Sequence, residues 1–138
     1  MTTVKDVDLF WLNSIADTTR GGTLVPVELA KDLPFHPERM FYVHNVPQGE
    51  VRGQHAHFKT EQILICLSGQ IEVICNDGRE KKSFLLDSPE RALHIPEMIW
   101  DECVYTLQNS VLLVLSSTSY NPDDYVKNYQ KFVELKSN

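Results

Sequence analysis

Cysteine and long apolar runs are scarce in this sequence, and each absence excludes a class of protein. Only three cysteines occur, Cys66, Cys75 and Cys103, an odd number without CxxC spacing. A disulfide framework and a cysteine-based zinc site are therefore not expected. No apolar stretch approaches the roughly 18 residues of a transmembrane helix, and no signal peptide is apparent. We expect a cytoplasmic protein whose cysteines are buried free thiols.

Positively charged residues are also few. The chain has 13 Lys and Arg against 19 Asp and Glu, which gives a net charge of -6. This balance provides no general attraction to nucleic acid or to an anionic membrane. Any anionic ligand must therefore be held by a few local cations. The length of 138 residues predicts a single domain, residues 1–138, with one site.

What the sequence has instead is a series of short runs rich in β-branched and aromatic residues, separated by Gly, Pro, Asn and Asp. These runs predict strands over Thr23–Glu28, Arg39–Asn45, Gln62–Leu67, Gln70–Cys75, Ser83–Asp87, Arg91–Pro96 and Ser110–Ser117. Asn76-Asp77-Gly78 is a hairpin signal because Asp-Gly tolerates the positive φ angles of a tight turn. Strands at this spacing predict an all-β sandwich or barrel. Only the segment from Asn121 reads as helical, with Asn121 as the cap.

Two histidines stand two residues apart in the stretch GEVRGQHAHFKTEQILICLSG. On a strand such residues point to the same side, so His55 and His57 are expected to face one cavity. The spacing of glycine, five residues, HxH, four residues, Gln62, six residues and glycine resembles the first cupin motif, in which glutamate takes the place of Gln62. The second cupin motif would fall on Pro96–Asp101, with Asp101 where its histidine belongs.

These two replacements favour proton chemistry over metal chemistry. An amide is a poor ligand for iron, nickel or zinc, although a residual set of His55, His57 and Asp101 stays compatible with a metal. Without a cation, paired imidazoles suit general acid–base work because they titrate near neutral pH. A third reading is that both histidines only fill a barrel interior.

Further stretches, RGQHAH, EQILICLSG, LLDSPERALHIPEMIW and SSTSYNPDDYVKNYQKF, resemble the sugar nucleotide 3,4-ketoisomerases over nearly the whole chain. The resemblance implies a cupin jelly-roll barrel with a short C-terminal helix. It also implies an isomerase that moves the keto group of dTDP-4-keto-6-deoxyglucose from C4 to C3 without metal or redox cofactor. The products of such enzymes feed amino-sugar synthesis for surface polysaccharides such as O-antigen. A metal-dependent cupin enzyme and a non-catalytic cupin that binds nucleotide sugars are the alternatives.

The reaction needs a base that moves a proton from C3 to C4 and a donor that stabilises the oxyanion. His55 is the expected shuttle, and His57 is its expected partner or the donor to the sugar oxygen. Tyr42 is the candidate hydroxyl that orients the substrate or relays a proton. Arg39 and Arg52 are the expected pyrophosphate ligands, because guanidinium groups bind phosphate through a planar fork.

Four more residues are candidates for substrate binding. Trp100 is a candidate stacking wall, with a core position as the competing reading, and Gln62 and Arg20 complete the predicted binding set. Asp101 stands where relatives of the resembled family commonly carry histidine or arginine, and Gly21 stands where they carry arginine or tyrosine. An acidic group there disfavours an anionic intermediate unless it is protonated or hydrogen-bonded, and it could raise the pKa of a neighbouring histidine. The sequence is compatible with either configuration at C4, galacto or gluco.

The N-terminal segment VDLFWL, Val7 to Leu12, is too apolar for a free arm. The resemblance implies a homodimer in which residues 1–16 are exchanged between subunits. Such an exchange would cover sheet edges that otherwise invite aggregation.

Overall fold

The structure, a computed structural model, describes residues 1–138 and consists mainly of short β-strands. The strands are β1 (Asp8–Trp11), β2 (Ile15–Ala16), β3 (Thr23–Leu24), β4 (Arg39–Val43), β5 (Val51–His57), β6 (Gln62–Ser68), β7 (Ile71–Asn76), β8 (Lys81–Leu86), β9 (Arg91–Ile95), β10 (Trp100–Tyr105), β11 (Val111–Ser116) and β12 (Tyr125–Val126). One α-helix, α1 (Tyr129–Ser137), and two 3-10 turns, Val4–Asp6 and Pro122–Asp124, complete the elements.

Two five-stranded sheets face each other and enclose the core. One sheet has the strand order β1-β9-β6-β11-β4 and the other β12-β5-β10-β7-β8. Inward-facing residues of both sheets, such as Leu64, Val73 and Leu93, form one buried apolar cluster. The predicted all-β jelly-roll barrel with a short C-terminal helix is confirmed, because alternating strands bury one face each.

The hairpin between β7 and β8 turns at Asn76-Asp77-Gly78, as predicted. The Asn76 side chain accepts a hydrogen bond from the Gly78 amide at 2.8 Å, and Gly78 has a φ of +92°. This left-handed conformation favours glycine. The three cysteines are buried and unbonded, which confirms their reading as free thiols.

The outer face of the first sheet carries a second apolar cluster around Ile63, Ile65 and Leu115. Part of the segment between β1 and β4 lies over it, and Val25 and Val27 pack there. The strand predicted over Thr23–Glu28 is therefore wrong beyond Leu24. Pro26 cannot donate to a ladder, and the segment is held by side-chain packing instead.

The C-terminal segment differs from the helix predicted from Asn121. Asn121 does cap a turn, but this is the short 3-10 turn Pro122–Asp124, and Tyr125–Val126 then pair with β5. The helix begins only at Tyr129, where Asn128 accepts the Lys131 amide hydrogen bond at 2.9 Å. Pairing with β5 overrides local helix propensity here.

No helix of the structure is both long and apolar enough to cross a membrane.

The N-terminal strand β1 pairs with β9 of its own chain, with Phe10 opposite Ala92. Val4 and Val7 are buried in the main core, and the Lys136 ammonium donates to the Thr2 carbonyl at 2.6 Å. In this structure β1 thus covers the edge of β9 within the chain, and Val4 and Val7 anchor the N-terminal segment in the core.

Candidate active site

A cavity of about 460 Å³, counted to the solvent at its mouth, opens between the two sheets. Its floor is apolar and includes Phe41, Leu64 and Val114. Its polar lining comes from Arg52, His55, Gln62, Asp101 and Tyr125. An apolar cleft with a few convergent polar groups is the usual form of a small-molecule site.

The two histidines lie side by side on β5, as their spacing predicted. Their ring centroids are 4.9 Å apart, and the rings meet edge to face at 82°. The His55 Nδ1 lies 3.0 Å from the Gly53 carbonyl oxygen. A carbonyl only accepts, so Nδ1 carries the hydrogen and Nε2 keeps a free lone pair. His55 is therefore poised as a base.

Both imidazoles are uncharged near neutral pH. Burial lowers the pKa of His55, and the Lys127 ammonium lowers it further, against the Gly53 hydrogen bond. Burial, with His55 as the next cause, lowers the pKa of His57 to about 4. His57 is 5% exposed, and its Nε2 is buried without a hydrogen-bond partner. A buried nitrogen without a hydrogen-bond partner costs free energy, so a hydrogen bond from a ligand to this nitrogen would stabilise the complex.

A β-bulge directly before the histidines sets their direction. Gly53 and Gln54 have φ values of +87° and +60°, and the register of β5 against β10 shifts at this point. A Cβ on residue 53 would lie 2.9 Å from Asp101 Oδ1. Gly53 is thus required both by its left-handed backbone and by the close approach of β10.

Tyr125 is a site residue to which the sequence reasoning assigned no role. It pairs with His57 across β12 and β5, and its ring centroid lies 4.5 Å from His57 and 5.2 Å from His55. Asp124 fastens this short strand by accepting hydrogen bonds from the Lys59 and Thr60 amides at 2.9 and 3.1 Å. The only signal in the sequence was the presence of a tyrosine in the DDYV stretch, because no local spacing relates Tyr125 to the histidines.

Asp101 and Gln62 lie in the cavity wall where the cupin motifs would place metal ligands. The Gln62 amide donates to the Ser116 hydroxyl at 3.3 Å. Asp101 is 4% exposed, and burial raises its pKa to about 7, with Glu102 as the next cause. The donor chemistry does not fit a transition metal, since no group of three or more His, Cys, Asp or Glu side chains converges on one point.

The two predicted arginines both lie near this cavity. Arg52 lines it, and its Nη1 donates to the Val51 carbonyl at 3.0 Å. The Arg39 guanidinium lies over the rings of Phe41 and Tyr120 at 5.2 and 5.3 Å, and its Nε is buried without a partner. Arg39 is also close enough to His57 to lower its pKa. Arg52 thus shares the cavity lining with His55, and Arg39 lies near His57.

Three predicted site residues lie elsewhere. Tyr42 is 62% exposed on the face of β4 opposite the cavity-lining Phe41. Trp100 is 5% exposed and packs on Phe132, ring centroids 5.7 Å apart, beneath α1. Its neighbour Asp101 takes the cavity side of β10, and adjacent strand residues point to opposite faces. The structure therefore does not bring Tyr42, the predicted substrate-orienting hydroxyl, or Trp100, the predicted stacking wall, into the cavity with the histidines.

Arg20 also lies away from the cavity of its own chain. It sits in an exposed turn, where its Nε lies 3.4 Å from Asp17 Oδ2 and its side chain is 86% exposed. Gly21 follows in the same turn with a φ of +83°. Arg20, predicted to bind substrate, is therefore not among the residues that line the cavity of its own chain.

Comparison with known proteins places the chain among sugar isomerases. Residues 5–137 match the family FdtA, described as WxcM-like, C-terminal. The chain is 38% identical over 111 residues, 80% of each protein, to a TDP-4-oxo-6-deoxy-α-D-glucose-3,4-oxoisomerase from Aneurinibacillus thermoaerophilus. It resembles the crystal structure of a 3,4-ketoisomerase from Helicobacter canadensis, with a TM-score of 0.91 and 33% identity over 96% of this chain and 98% of that one.

A second solved structure extends this likeness. A sugar 3,4-ketoisomerase from Thermoanaerobacterium thermosaccharolyticum, solved in complex with TDP, has a TM-score of 0.92 and 33% identity over 98% of this chain and 97% of that one. The resemblance seen in the sequence motifs is confirmed along nearly the full length. The chain belongs to the FdtA family (WxcM-like, C-terminal) of sugar 3,4-ketoisomerases.

Proposed function

We propose that this protein converts TDP-4-keto-6-deoxyglucose to a TDP-3-keto-6-deoxyhexose by proton transfer between C3 and C4. The observation that carries the proposal is the pair of uncharged imidazoles, 4.9 Å apart, beside a cavity between the sheets. Their lowered pKa values make them proton acceptors at neutral pH, which is what abstraction of the C3 proton needs.

His55 is the proposed shuttle. Its Nε2 is the free acceptor once Nδ1 donates to Gly53. The hydrogen on C3 is acidified by the C4 carbonyl, and its removal gives an enediolate. Delivery of a proton from the same imidazole to C4, after exchange of that proton with solvent, completes the migration. One base that reaches both neighbouring carbons is sufficient for this step.

His57 and Tyr125 are proposed to support the shuttle. The unpartnered Nε2 of His57 is the group that would contact a sugar oxygen, and the pKa of about 4 keeps that ring neutral. Tyr125 contacts both rings and limits their rotation. Arg39 and Arg52 are the proposed ligands of the pyrophosphate, since Arg52 lines the cavity with His55 and Arg39 lies near His57.

The test is incubation with TDP-4-keto-6-deoxyglucose in deuterated water, followed by NMR of the products. The expected result is a carbonyl at C3 with deuterium incorporation, and the ring coupling constants assign C4 as galacto or gluco. The matched control is His55→Asn, which keeps a polar side chain of similar size but cannot act as a base. Binding without turnover by the wild-type protein would contradict the proposal and identify a nucleotide-sugar-binding cupin.

A homodimer is the proposed assembly. Met40, Tyr42 and Leu67 are large, exposed side chains on the outer face of the first sheet, and β4 pairs on one side only. Exchange of residues 1–16 would remake the same β1–β9 pairing between subunits, at little cost in contacts. Because a free sugar nucleotide is an intracellular metabolite, we expect the enzyme to work in the cytoplasm.

Light scattering tests the homodimer, and a disulfide cross-link tests the exchange of residues 1–16. Trp11 and Arg91 face each other across β1 and β9. A Trp11→Cys, Arg91→Cys variant should form a disulfide-linked dimer if the segment is exchanged and an internally closed monomer if it is not. Tyr42→Glu should weaken the dimer without loss of the fold. A stable wild-type monomer at micromolar concentration would contradict the assembly.

A further inference from the structure

The carboxyl group of Asp101 faces the cavity that His55 lines, although proton transfer by His55 does not use it. Asp101 on β10 is the partner of His55 on β5 in the strand register. Both side chains line the same cavity, and Asp101 is 4% exposed. The cavity is therefore bounded by an imidazole base on one strand and a carboxyl group on the neighbouring strand.

The Asp101 carboxyl has almost no partner that would stabilise a negative charge. Its only donor is the Cys103 thiol, with Sγ 4.0 Å from Oδ1, and no salt bridge reaches it. A buried carboxylate with so little compensation is costly, whereas a protonated carboxyl is not. Gly53 has no Cβ, which leaves room for Asp101 Oδ1. The carboxyl group therefore lies close to β5, the strand that carries His55.

The surrounding charges do not oppose this state. The titratable groups that line the cavity or flank Asp101 on the packed strands are Arg52, His55, Cys75, Glu102, Cys103, Tyr105 and Tyr125. Arg52 is the one permanent cation among them, and its Nη1 is occupied by the Val51 carbonyl and lies 3.7 Å from Glu50. Burial and then Glu102 raise the pKa of Asp101 to about 7.

We propose that Asp101 is a further catalytic residue, a neutral carboxylic acid that moves the hydroxyl proton of the sugar from O3 to O4 while His55 moves the carbon-bound proton from C3 to C4. This inference rests on the isomerase function proposed above. A neutral carboxyl is suited to the task because one oxygen donates a proton while the other accepts one.

The proton balance closes without any other reactant. His55 Nε2 takes the proton from C3, and the electron pair of the C–H bond forms the C3–C4 double bond as the C4 carbonyl becomes an oxyanion. The Asp101 hydroxyl gives its proton to O4, and its other oxygen then takes the proton from O3. The C3 carbonyl forms as His55 returns its proton to C4. Both residues end in the state in which they began.

The first test uses infrared difference spectroscopy of the wild-type protein against Asp101→Asn. The carbonyl stretch of a protonated carboxylic acid should be present in the wild type at pH 6, absent in the variant, and lost in the wild type as the pH rises through about 7. This readout does not depend on turnover. Absence of such a band at pH 6 would overturn the inference.

The second test is the pH dependence of turnover of TDP-4-keto-6-deoxyglucose. Asp101→Asn keeps the size and polarity of the side chain but cannot relay a proton, so we expect kcat to fall about 100-fold or more while TDP binding stays within a few-fold. The wild type should lose activity as the pH rises through the titration of Asp101, and the residual activity of Asp101→Asn should lack this limb.

Glu102→Gln is the matched control on the same strand. Glu102 lies on the other face of β10, where its carboxylate accepts from the Trp100 indole at 3.4 Å. The substitution removes a negative charge next to Asp101, so kcat at pH 6 should be unchanged and the basic limb should move to lower pH. An Asp101→Asn enzyme with wild-type kcat would overturn only the role of Asp101. A wild-type protein that binds the substrate without turnover would overturn the isomerase function and this relay together.

Discussion

The two buried ionisable groups of the site should give the protein opposite pH dependences of stability that nearly cancel. His57 has its pKa lowered from 6.5 to about 4, so the free energy of unfolding that it contributes is present above pH 6.5 and is lost as pH falls to about 4. Asp101 has its pKa raised from 3.8 to about 7, so its contribution is present below pH 3.8 and is lost as pH rises to about 7.

The magnitudes follow from the pKa differences. Each pKa unit corresponds to about 1.4 kcal/mol. The difference of roughly 2.5 for His57 therefore gives about 3 kcal/mol, and the difference of roughly 3 for Asp101 gives about 4 kcal/mol. The wild-type free energy of unfolding should thus vary little between pH 4 and 7 from these two groups. Asp101→Asn should unmask the histidine and become more stable with rising pH, by about 3 kcal/mol over this range.

Urea unfolding at pH 4, 5.5 and 7, at one protein concentration, measures the effect through the midpoint at constant m-value. His57→Gln should show the reverse trend, with stability falling by about 4 kcal/mol as pH rises. Glu134→Gln, which removes an exposed carboxylate on α1, should follow the wild type within about 0.5 kcal/mol. If Asp101→Asn has the same pH dependence as the wild type, the carboxyl is not held protonated and the reasoning fails.

The remaining predictions concern the histidines, a metal and the bulge. His55→Asn should abolish turnover while the TDP affinity changes only a few-fold. His57→Asn should also lower kcat severely, and kinetics of the double variant should show that the two losses are not additive. Turnover should fall as pH drops below the usual histidine range, in a pH–rate profile. Exhaustive chelation should leave activity intact; inactivation that one added ion reverses would make the histidines ligands. Gly53→Ala should lower the free energy of unfolding by about 1–3 kcal/mol in urea titrations, because it strains the backbone and meets Asp101.

Local sequence patterns were sufficient for the elements that depend on local chemistry. The runs of β-branched residues in β6 and β7 and the Asn76-Asp77-Gly78 turn specified strands and a hairpin, because strand propensity and turn conformation depend on neighbouring residues. The HxH spacing placed His55 and His57 on one face for the same reason. The aspartate at position 101, where the cupin motif has histidine, is likewise evident from the sequence alone.

Parity along a strand separates two of the predicted site residues. Trp100 and Asp101 are adjacent, so they point to opposite sides of β10 and both cannot line one cavity. Tyr42 was different, because β4 has large apolar side chains on both faces, Phe41 and Val43 on one and Met40 and Tyr42 on the other. Alternation alone does not say which of two such faces turns inward.

What only the tertiary structure decided are the contacts between distant parts of the chain. The sequence determined the strands, a turn, the histidine pair on one face and the aspartate at a position where the cupin motif has histidine. Each of these depends only on residues a few positions apart. The pairing of Tyr125 with His57 was decided by the edge of β5, with which Tyr125–Val126 form hydrogen bonds. The helix therefore begins only at Tyr129. The neutral state of Asp101 was decided by burial between two sheets, because the desolvation of a carboxyl depends on everything packed around it.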